Sequence, residues 1–241
     1  MAENNLLSEQ WQQHLNGSSL LESATQVLSG SDYVAQWGNR HAERAEALLA
    51  SGDINTLYDA EGYQRRLKVS LEGVADETAL QQKLRHFRQR EMVRIIWRDL
   101  AGWADLAETV RDLSAMADAC LEQSLAILHK WQCEISGIPC NADGEEQYLV
   151  VLGMGKLGAG ELNLSSDIDL IFTYPEGGET QGGRKSLSNE EFFTRLGRKL
   201  IQSLDNVTVD GFVFRVDMRL RPFGDSGALA ASFDAMEDYY Q

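Results

Sequence analysis

The sequence predicts an α+β protein in which a helical region over residues 1–138 precedes a smaller module of strands and helices over residues 139–241. Two observations indicate this division. All three prolines lie beyond residue 138, and ten glycines fall between residues 137 and 183. Before that point, apolar residues recur at three- and four-residue spacings, which is the period of an amphipathic helix.

Two long helices are predicted in the first region. The first covers residues 76–100, with Asp76 as its N-cap and an apolar face made of Leu80, Leu84, Phe87, Ile95 and Ile96. The second covers residues 105–134, with an apolar face made of Leu113, Ala117, Leu121, Leu125 and Leu128. The segment before residue 75 also has a helical pattern, and we expect breaks at Gly17, Gly30 and Gly52.

The first long helix carries a set of basic residues, namely Lys83, Arg85, Arg88, Arg90, Arg94 and Arg98. Arg90, Arg94 and Arg98 are four residues apart and therefore lie on one face of the helix. We predict that this face is solvated and pairs with nearby acidic side chains.

The composition excludes several classes of protein. Apolar residues make up 43% and charged residues 24% of the 241 residues, which is typical of a globular chain. The net charge of −15 opposes bulk binding to nucleic acid, although a single nucleotide needs only a local site. No run approaches the ~18 apolar residues of a membrane span, and residues 1–10 lack the pattern of a secretory signal.

The cysteines and histidines suggest no metal centre. Cys120, Cys133 and Cys140 are an odd number without metal-ligand spacing, so we expect reduced thiols in a cytoplasmic protein. The histidines, His14, His41, His86 and His129, are scattered along the chain. Neither a zinc site nor a Ser-His-Asp arrangement is predicted.

Three strands and one helix are predicted in the second region. Residues 148–152 and 168–174 are short apolar runs typical of buried strands. Residues 190–204 have the pattern of an amphipathic helix, with Phe193, Leu196, Leu200 and Leu204 on one face. Residues 211–220 alternate with period two, which predicts a third strand.

Three carboxylates in this region point to metal-dependent chemistry. Asp167 and Asp169 lie two residues apart at the start of a predicted strand, so both side chains point to the same face. Asp217 lies in the middle of another predicted strand, where burial of a lone acid is costly unless it is paired. Carboxylates on neighbouring strands are suited to two Mg²⁺ ions, the arrangement used for in-line phosphoryl displacement.

Residues around these carboxylates are suited to bind phosphate. Glycines at 153, 155, 158 and 160 allow backbone amides to approach a phosphate closely, and Lys156 adds positive charge. Ser165 and Ser166 precede Asp167 and are positioned to donate hydrogen bonds. Arg219 and Arg221 share the predicted strand face of Asp217 and are expected to bind phosphate oxygens.

Each motif alone has other interpretations. A glycine-rich turn is often a plain loop, and Asp-x-Asp at a strand start is often a solvated turn. Gly153, Gly155 and Gly158 also form GxGxxG after a strand, which is the pattern of a dinucleotide-binding fold. That fold expects a helix that opens directly afterwards and a ribose-binding acid ~20 residues further on, and it does not require paired aspartates. The combined pattern therefore favours phosphoryl transfer.

The sequence resembles the bacterial bifunctional glutamine synthetase adenylyltransferase/adenylyl-removing enzymes. The resemblance rests on GMGKLGAGELNLSSDIDLIF at 153–172, GFVFRVDMRLRPFGDSG at 211–227 and FRQREMVRIIWRDL at 87–100. It implies a polymerase-β-like nucleotidyltransferase domain over residues 139–241. It also implies catalytic, Mg²⁺-binding roles for Asp167, Asp169 and Asp217. Nucleotide or phosphate binding would fall to Gly153, Gly155, Lys156, Ser165, Ser166, Arg219 and Arg221. This chain has Gly155-Lys156 where the wider superfamily has a Gly-Ser pair.

Family members contain two catalytic halves, and the spelling of these motifs is more similar to the N-terminal one. The resemblance therefore implies adenylyl removal, in which orthophosphate attacks the AMP–tyrosine bond of adenylylated glutamine synthetase and releases ADP. It also implies the PII signal protein as a partner, and we expect the chain to be a fragment of a longer half. Two alternatives stay open, namely ATP-dependent adenylyl transfer to glutamine synthetase and a non-catalytic, nucleotide-binding regulatory module.

Overall fold

The computed structural model describes Leu15 and residues 20–241, and it confirms the α+β class. The helices before the first strand are α1 (Leu21–Gly30), α2 (Asp32–Arg40), α3 (Ala42–Ser51), α4 (Gly62–Ser70), α5 (Glu77–Leu100) and α6 (Leu106–Ser136). The strands are β1 (Ile138–Cys140), β2 (Val150–Met154), β3 (Ile168–Tyr174), β4 (Glu179–Gln181), β5 (Val216–Asp217) and β6 (Ala230–Ser232). Between and after them lie α7 (Gly155–Gly158), α8 (Asn189–Asp205) and α9 (Phe233–Tyr240).

The two long helices begin at side-chain caps, of which the sequence predicts the one at Asp76. Asp76 accepts a hydrogen bond from the backbone N–H of Ala79, and Asp105 accepts one from Glu108, both at 2.8 Å. Breaks also fall at Gly30, where α1 ends, and at Gly52, which follows α3. The predicted break at Gly17 and the signal-peptide interpretation of residues 1–10 lie outside the described residues.

The predicted solvated face of α5 is wrong in one respect. Of the three arginines on this face, Arg94 and Arg98 are buried rather than exposed, and Arg85, elsewhere on the helix, is buried as well. Arg94 and Arg98 do pair with acids, as predicted, but these acids (Asp112 and Glu108) belong to α6. Arg85 instead donates to backbone carbonyl oxygens at and beyond the end of α8, including Ser203 O at 3.2 Å. Buried guanidinium groups therefore connect α5 to its neighbours on both sides.

Asp53, in a 3₁₀ turn at Asp53–Asn55, is held between two arginines. Its carboxylate accepts hydrogen bonds from Arg66 (2.8 Å) and from Arg90. Burial acts to raise the pKa of Asp53, but these two hydrogen bonds outweigh it and lower the pKa to about 2.

This lowered pKa predicts a contribution to acid sensitivity. An unfolded aspartate titrates near 3.9, so the stability from Asp53 is complete above that pH and is lost as the pH falls towards about 2. We expect Asp53→Asn to remove this contribution. Between about pH 4 and 2, the free energy of unfolding should therefore fall less steeply in the variant than in the unchanged protein. Urea unfolding at a series of pH values measures both slopes, and identical slopes would contradict the assignment.

The main sheet is organised around β3, which occupies the predicted residues 168–174. Strand β2 pairs with β3 in antiparallel register, with Met154 opposite Asp169. Two short strands pair in parallel with the other side of β3. Strand β5 pairs with the first two residues of β3, and β6 pairs with the last three residues of β3. Strands β1 and β4 form a separate antiparallel pair.

Helix α8 packs on this sheet and is the predicted amphipathic helix. Phe193, Leu196, Leu200 and Leu204 are all buried. The ring of Phe193 stacks on that of Tyr174 with centroids 4.9 Å apart. Gly197 lies directly against Phe172. A larger residue would not fit there, because a Cβ at this position would be 2.8 Å from the phenyl ring. The helix thus covers one face of β3.

Two predicted strands differ from the structure. The apolar run 148–152 does not form a buried strand, because β2 starts at Val150 and is an edge strand with Leu152 39% exposed. The predicted strand 211–220 shortens to Val216–Asp217. The backbone N–H groups of Val213 and Phe214 both donate to Leu204 O instead of to a neighbouring strand. The end of α8 therefore takes the hydrogen bonds that a longer strand would need.

No helix in the part of the chain that the structure describes is long and apolar enough to cross a membrane. The boundary at residue 138 stays a prediction. It falls within β1, directly after the end of α6.

Candidate active site

The structure brings two of the three predicted carboxylates side by side. Asp169 is the second residue of β3 and Asp217 is the last residue of β5. The parallel pairing of these strands places Asp169 directly beside Asp217. Paired residues on strands about 4.8 Å apart project from the same face of a sheet. Asp167 immediately precedes β3 and lies at the same end of the sheet.

Two of these carboxylates have an arginine as their counter-ion. Asp217 accepts hydrogen bonds from the guanidinium of Arg219 and, at 2.8 Å, from the backbone N–H of the same residue. These hydrogen bonds lower the pKa of Asp217. The Arg215 Nε–H donates to Asp167, and its Nη2 donates to Ser165 O at 2.8 Å. Sequence reasoning missed Arg215, although it lies two residues before Asp217 in the same alternating segment.

The predicted shared strand face of Asp217, Arg219 and Arg221 is wrong, because β5 ends at Asp217. Arg219 reaches Asp217 by folding back and remains exposed. Arg221 is mostly buried, donates to Met218 O at 2.7 Å and lies 3.5 Å from Asp225. Its Nε is buried and has no hydrogen-bond partner within the described residues. The two arginines therefore have different surroundings, and only Arg219 contacts a predicted metal ligand.

The glycine-rich segment passes directly over Asp169. Gly155 has φ +54°, and a Cβ there would lie 2.9 Å from Asp169 Oδ2. Gly158 packs against the backbone, because a Cβ there would lie 2.4 Å from Gly153 O. The segment is also partly wound into α7 rather than forming a plain loop. Internal packing thus accounts for Gly155 and Gly158, and phosphate contact by the glycines stays a prediction.

The remaining predicted residues lie on the surface of the same end of the sheet. The side chain of Lys156 is exposed and has no ion-pair partner among residues 20–241. The hydroxyls of Ser165 and Ser166 donate to Asn163 Oδ1, at 3.4 and 2.8 Å. Asn163 therefore organises the turn that leads into Asp167. Binding roles for these residues stay predictions.

The strand arrangement removes the dinucleotide-binding alternative. That fold requires a parallel βαβ unit with a full helix after the first strand. Here β2 and β3 are antiparallel, and α7 between them has only four residues. The GxGxxG spacing in this chain is therefore a tight connection between antiparallel strands.

Comparisons with known proteins agree with the motifs. A family model described as glutamate-ammonia ligase adenylyltransferase matches residues 21–241. The chain is 56% identical over 222 residues to a bifunctional glutamine synthetase adenylyltransferase/adenylyl-removing enzyme from Pseudomonas aeruginosa. It is 55% identical over 222 residues to the protein of the same name from Nitrosococcus oceani, and 50% identical over 224 residues to that from Hahella chejuensis.

These alignments cover most of the chain but only part of each relative. They include 92% of the chain for the first two relatives and 93% for the third. In every case they include 23% of the relative's own length. The chain thus spans about a quarter of the relatives that it matches.

Proposed function

The chain belongs to the glutamate-ammonia ligase adenylyltransferase family, and from this membership we propose that it carries the adenylyl-removing nucleotidyltransferase activity. The substrate would be glutamine synthetase that carries AMP on a tyrosine. An oxygen of orthophosphate attacks the phosphorus of the AMP–tyrosine phosphodiester and forms a new P–O–P bond. The bond to the tyrosine oxygen breaks, the tyrosine regains a proton, and ADP leaves.

The pairing of Asp169 with Asp217 on β3 and β5 carries this proposal. It supports a set of oxygen ligands at one end of the sheet, with Asp167 beside them. Oxygen-only donors are what Mg²⁺ prefers, so the residues present fit the metal that the resemblance implies. We propose that these three aspartates hold Mg²⁺. When bound, it would neutralise the charge that develops on the phosphoryl oxygens.

The other residues would position the substrates. Exposed Lys156 has no acidic partner in the described part of the chain and is available for a phosphate oxygen. Arg219 pairs with Asp217 but is exposed at the surface, so its guanidinium is accessible to a phosphate oxygen. Arg221 is held by Met218 O and would act from a fixed position. Ser165 and Ser166 would donate hydrogen bonds, and the backbone of Gly153 and Gly155 would lie alongside the nucleotide.

The proposed direction of the reaction rests on the residues of the two motifs, which are more similar to those in the N-terminal catalytic half of family members. Adenylyl removal and ATP-dependent adenylyl transfer are related phosphoryl transfers that use the same kind of carboxylate site. The PII signal protein is proposed as a partner on family membership alone. Cytoplasmic location is likewise a proposal.

A product assay tests this function. Adenylylated glutamine synthetase is incubated with the chain, Mg²⁺ and orthophosphate, and nucleotide products are separated by chromatography. We expect ADP release that requires both orthophosphate and Mg²⁺. Omission of orthophosphate is the matched control, because simple hydrolysis would release AMP instead.

Other products would identify the alternatives. Pyrophosphate formed from ATP and unmodified glutamine synthetase would assign adenylyl transfer instead. Nucleotide binding that is independent of Mg²⁺, without turnover in either direction, would favour a regulatory module. Either result would overturn the proposed activity.

A further inference from the structure

A second group of metal-ligating side chains lies outside the candidate active site. His129 and Cys133 are four residues apart on α6, so they project from the same face of the helix. Glu146 lies in the segment between β1 and β2 and is brought there by its bridge to Cys140. The ligand atoms of His129, Cys133 and Glu146 all lie within 4.8 Å of one another.

The imidazole of His129 is packed between two aromatic rings, and its Nε2 has no hydrogen-bond partner among the described residues. Its ring stacks on Tyr148, with centroids 5.3 Å apart, and meets the edge of Phe192 at 5.6 Å. The side chain is only 13% exposed, and this buried Nε2 lies in the described part of the chain without a hydrogen bond. Glu146 Oε1 lies 3.6 Å away, which is beyond hydrogen-bond distance. A buried nitrogen without a partner is costly, and a metal ion would satisfy it.

The type of ligand indicates which metal fits. One imidazole nitrogen, one thiol sulfur and one carboxylate oxygen form the mixed donor set typical of Zn²⁺. Mg²⁺ prefers oxygen ligands only, so this group differs in kind from the three aspartates at the end of β3. Cys133 is partly exposed and Glu146 is exposed, which gives an ion access from solvent.

We propose that His129, Cys133 and Glu146 bind one Zn²⁺ ion, with a water molecule in the fourth position. Binding forms a zinc–sulfur bond as the Cys133 thiol gives its proton to solvent. Such an ion would tie the segment between β1 and β2 to the last turns of α6, because Glu146 comes from that segment. None of its ligands belongs to the candidate active site, so the proposal stands independently of the proposed function.

Metal titration of the chain tests the site. After treatment with a chelator, we expect calorimetry to show one Zn²⁺ per chain and Zn²⁺ to raise the melting temperature. Loss of an outer partner of a zinc ligand typically weakens metal binding 10- to 100-fold. Loss of a ligand should cost at least as much, so Cys133→Ser and His129→Gln are each expected to weaken binding by about 100-fold or more.

His86→Ala is the matched control. His86 also faces a carboxylate, Asp210 at 3.4 Å, but these two belong to no three-ligand group with a thiol in the part of the chain that the structure describes. Zinc binding should be unchanged in this variant. Co²⁺ gives a second readout, because a thiolate ligand produces a charge-transfer absorption that must be present in the unchanged chain and absent in Cys133→Ser. Zn²⁺ should also protect Cys133 from alkylation, whereas Cys120 and Cys140 are buried.

Three results would overturn the proposal. They are the absence of stoichiometric zinc binding, full zinc affinity in Cys133→Ser, and a thiolate–Co²⁺ band that survives this substitution. If circular dichroism shows that His129→Gln does not fold, the comparison of the unchanged chain with Cys133→Ser decides the outcome alone.

Discussion

Replacing Asp169 by asparagine is expected to lower the rate of the proposed phosphorolysis by about a thousandfold or more. Metal-assisted charge stabilisation is worth several kcal/mol, and each 1.36 kcal/mol corresponds to a factor of ten in rate. Asparagine keeps the volume of aspartate and its contact with Gly155, so the fold should be retained. Steady-state ADP release from adenylylated glutamine synthetase measures the effect.

Asp169 is the informative choice among the three aspartates because of its position. It pairs with Asp217 on one side and with Met154 on the other, so it lies between the second carboxylate and the glycine-rich segment. Asp167 and Asp217 each carry an arginine counter-ion, and their substitution would also free that arginine. Asp169 forms no ion pair with the described arginines, so the Asp169 variant changes one charge without freeing Arg215 or Arg219.

The control for this experiment is Asp238→Asn, which removes one negative charge from an exposed position on α9. It should leave ADP release unchanged, so a loss confined to Asp169→Asn would reflect position and not net charge. Nucleotide affinity measured with and without Mg²⁺ adds a second readout. Undiminished turnover and an unchanged Mg²⁺ dependence in Asp169→Asn would remove the metal assignment.

The closeness of Asp169 and Asp217 was predictable because two sequence patterns agree with the fold, namely the strand pattern that contains Asp169 and the helix pattern that follows it. Residues 168–174 combine a continuous apolar run with polar flanks, and the strand occupies those residues. The helix pattern that follows indicates a crossover, which is what two parallel strands need. The structure supplies this crossover as α8, between β3 and β5. Cap residues such as Asp76 were equally predictable because they act within one turn.

The segment after α8 could not be predicted in the same way. Alternation over residues 211–220 is compatible with a strand, but Val213 and Phe214 are neighbours in sequence and are both buried. Both of their N–H groups bind Leu204 O, a contact set by how the chain leaves α8. Such a tertiary hydrogen bond leaves no periodic signal. For the same reason the position of Arg221, beyond this segment, was predicted wrongly.

The zinc ligands show a related limit. The spacing of His129 and Cys133 fits one helix face and was visible in the sequence. Glu146, however, lies thirteen residues beyond Cys133 and returns to α6 only through the turn after β1. A set that combines one helix with a distant turn has no fixed spacing, so the cysteines were predicted to have no metal role.

The burial of arginines on α5 leads to the largest expected effect on stability. Arg94→Met is expected to lower the free energy of unfolding by about 3–5 kcal/mol, the usual cost of removing one partner of a buried ion pair. Arg94 is fully buried and donates to Asp112 Oδ2 at 2.9 Å, to Tyr63 OH at 3.1 Å and to Asp53 O at 2.9 Å. Methionine fills much of the same volume but leaves Asp112 buried without its main counter-ion. Urea unfolding followed by circular dichroism measures the change.

Two further variants test whether the loss of stability comes from the buried Arg94–Asp112 ion pair. One breaks an exposed ion pair for comparison, and the other removes the carboxylate of Asp112. Arg195→Ala breaks the exposed ion pair with Glu191 on α8 and should cost less than about 1 kcal/mol, as solvent-exposed pairs usually do. Adding Asp112→Leu to Arg94→Met removes the unpaired carboxylate and should recover part of the lost stability, because an apolar pair needs no counter-ion. If the double variant is as unstable as the sum of the single ones, Asp112 is not the source of the cost. The backbone carbonyl oxygen of Asp53 and the hydroxyl of Tyr63, left without their donor, would then account for it.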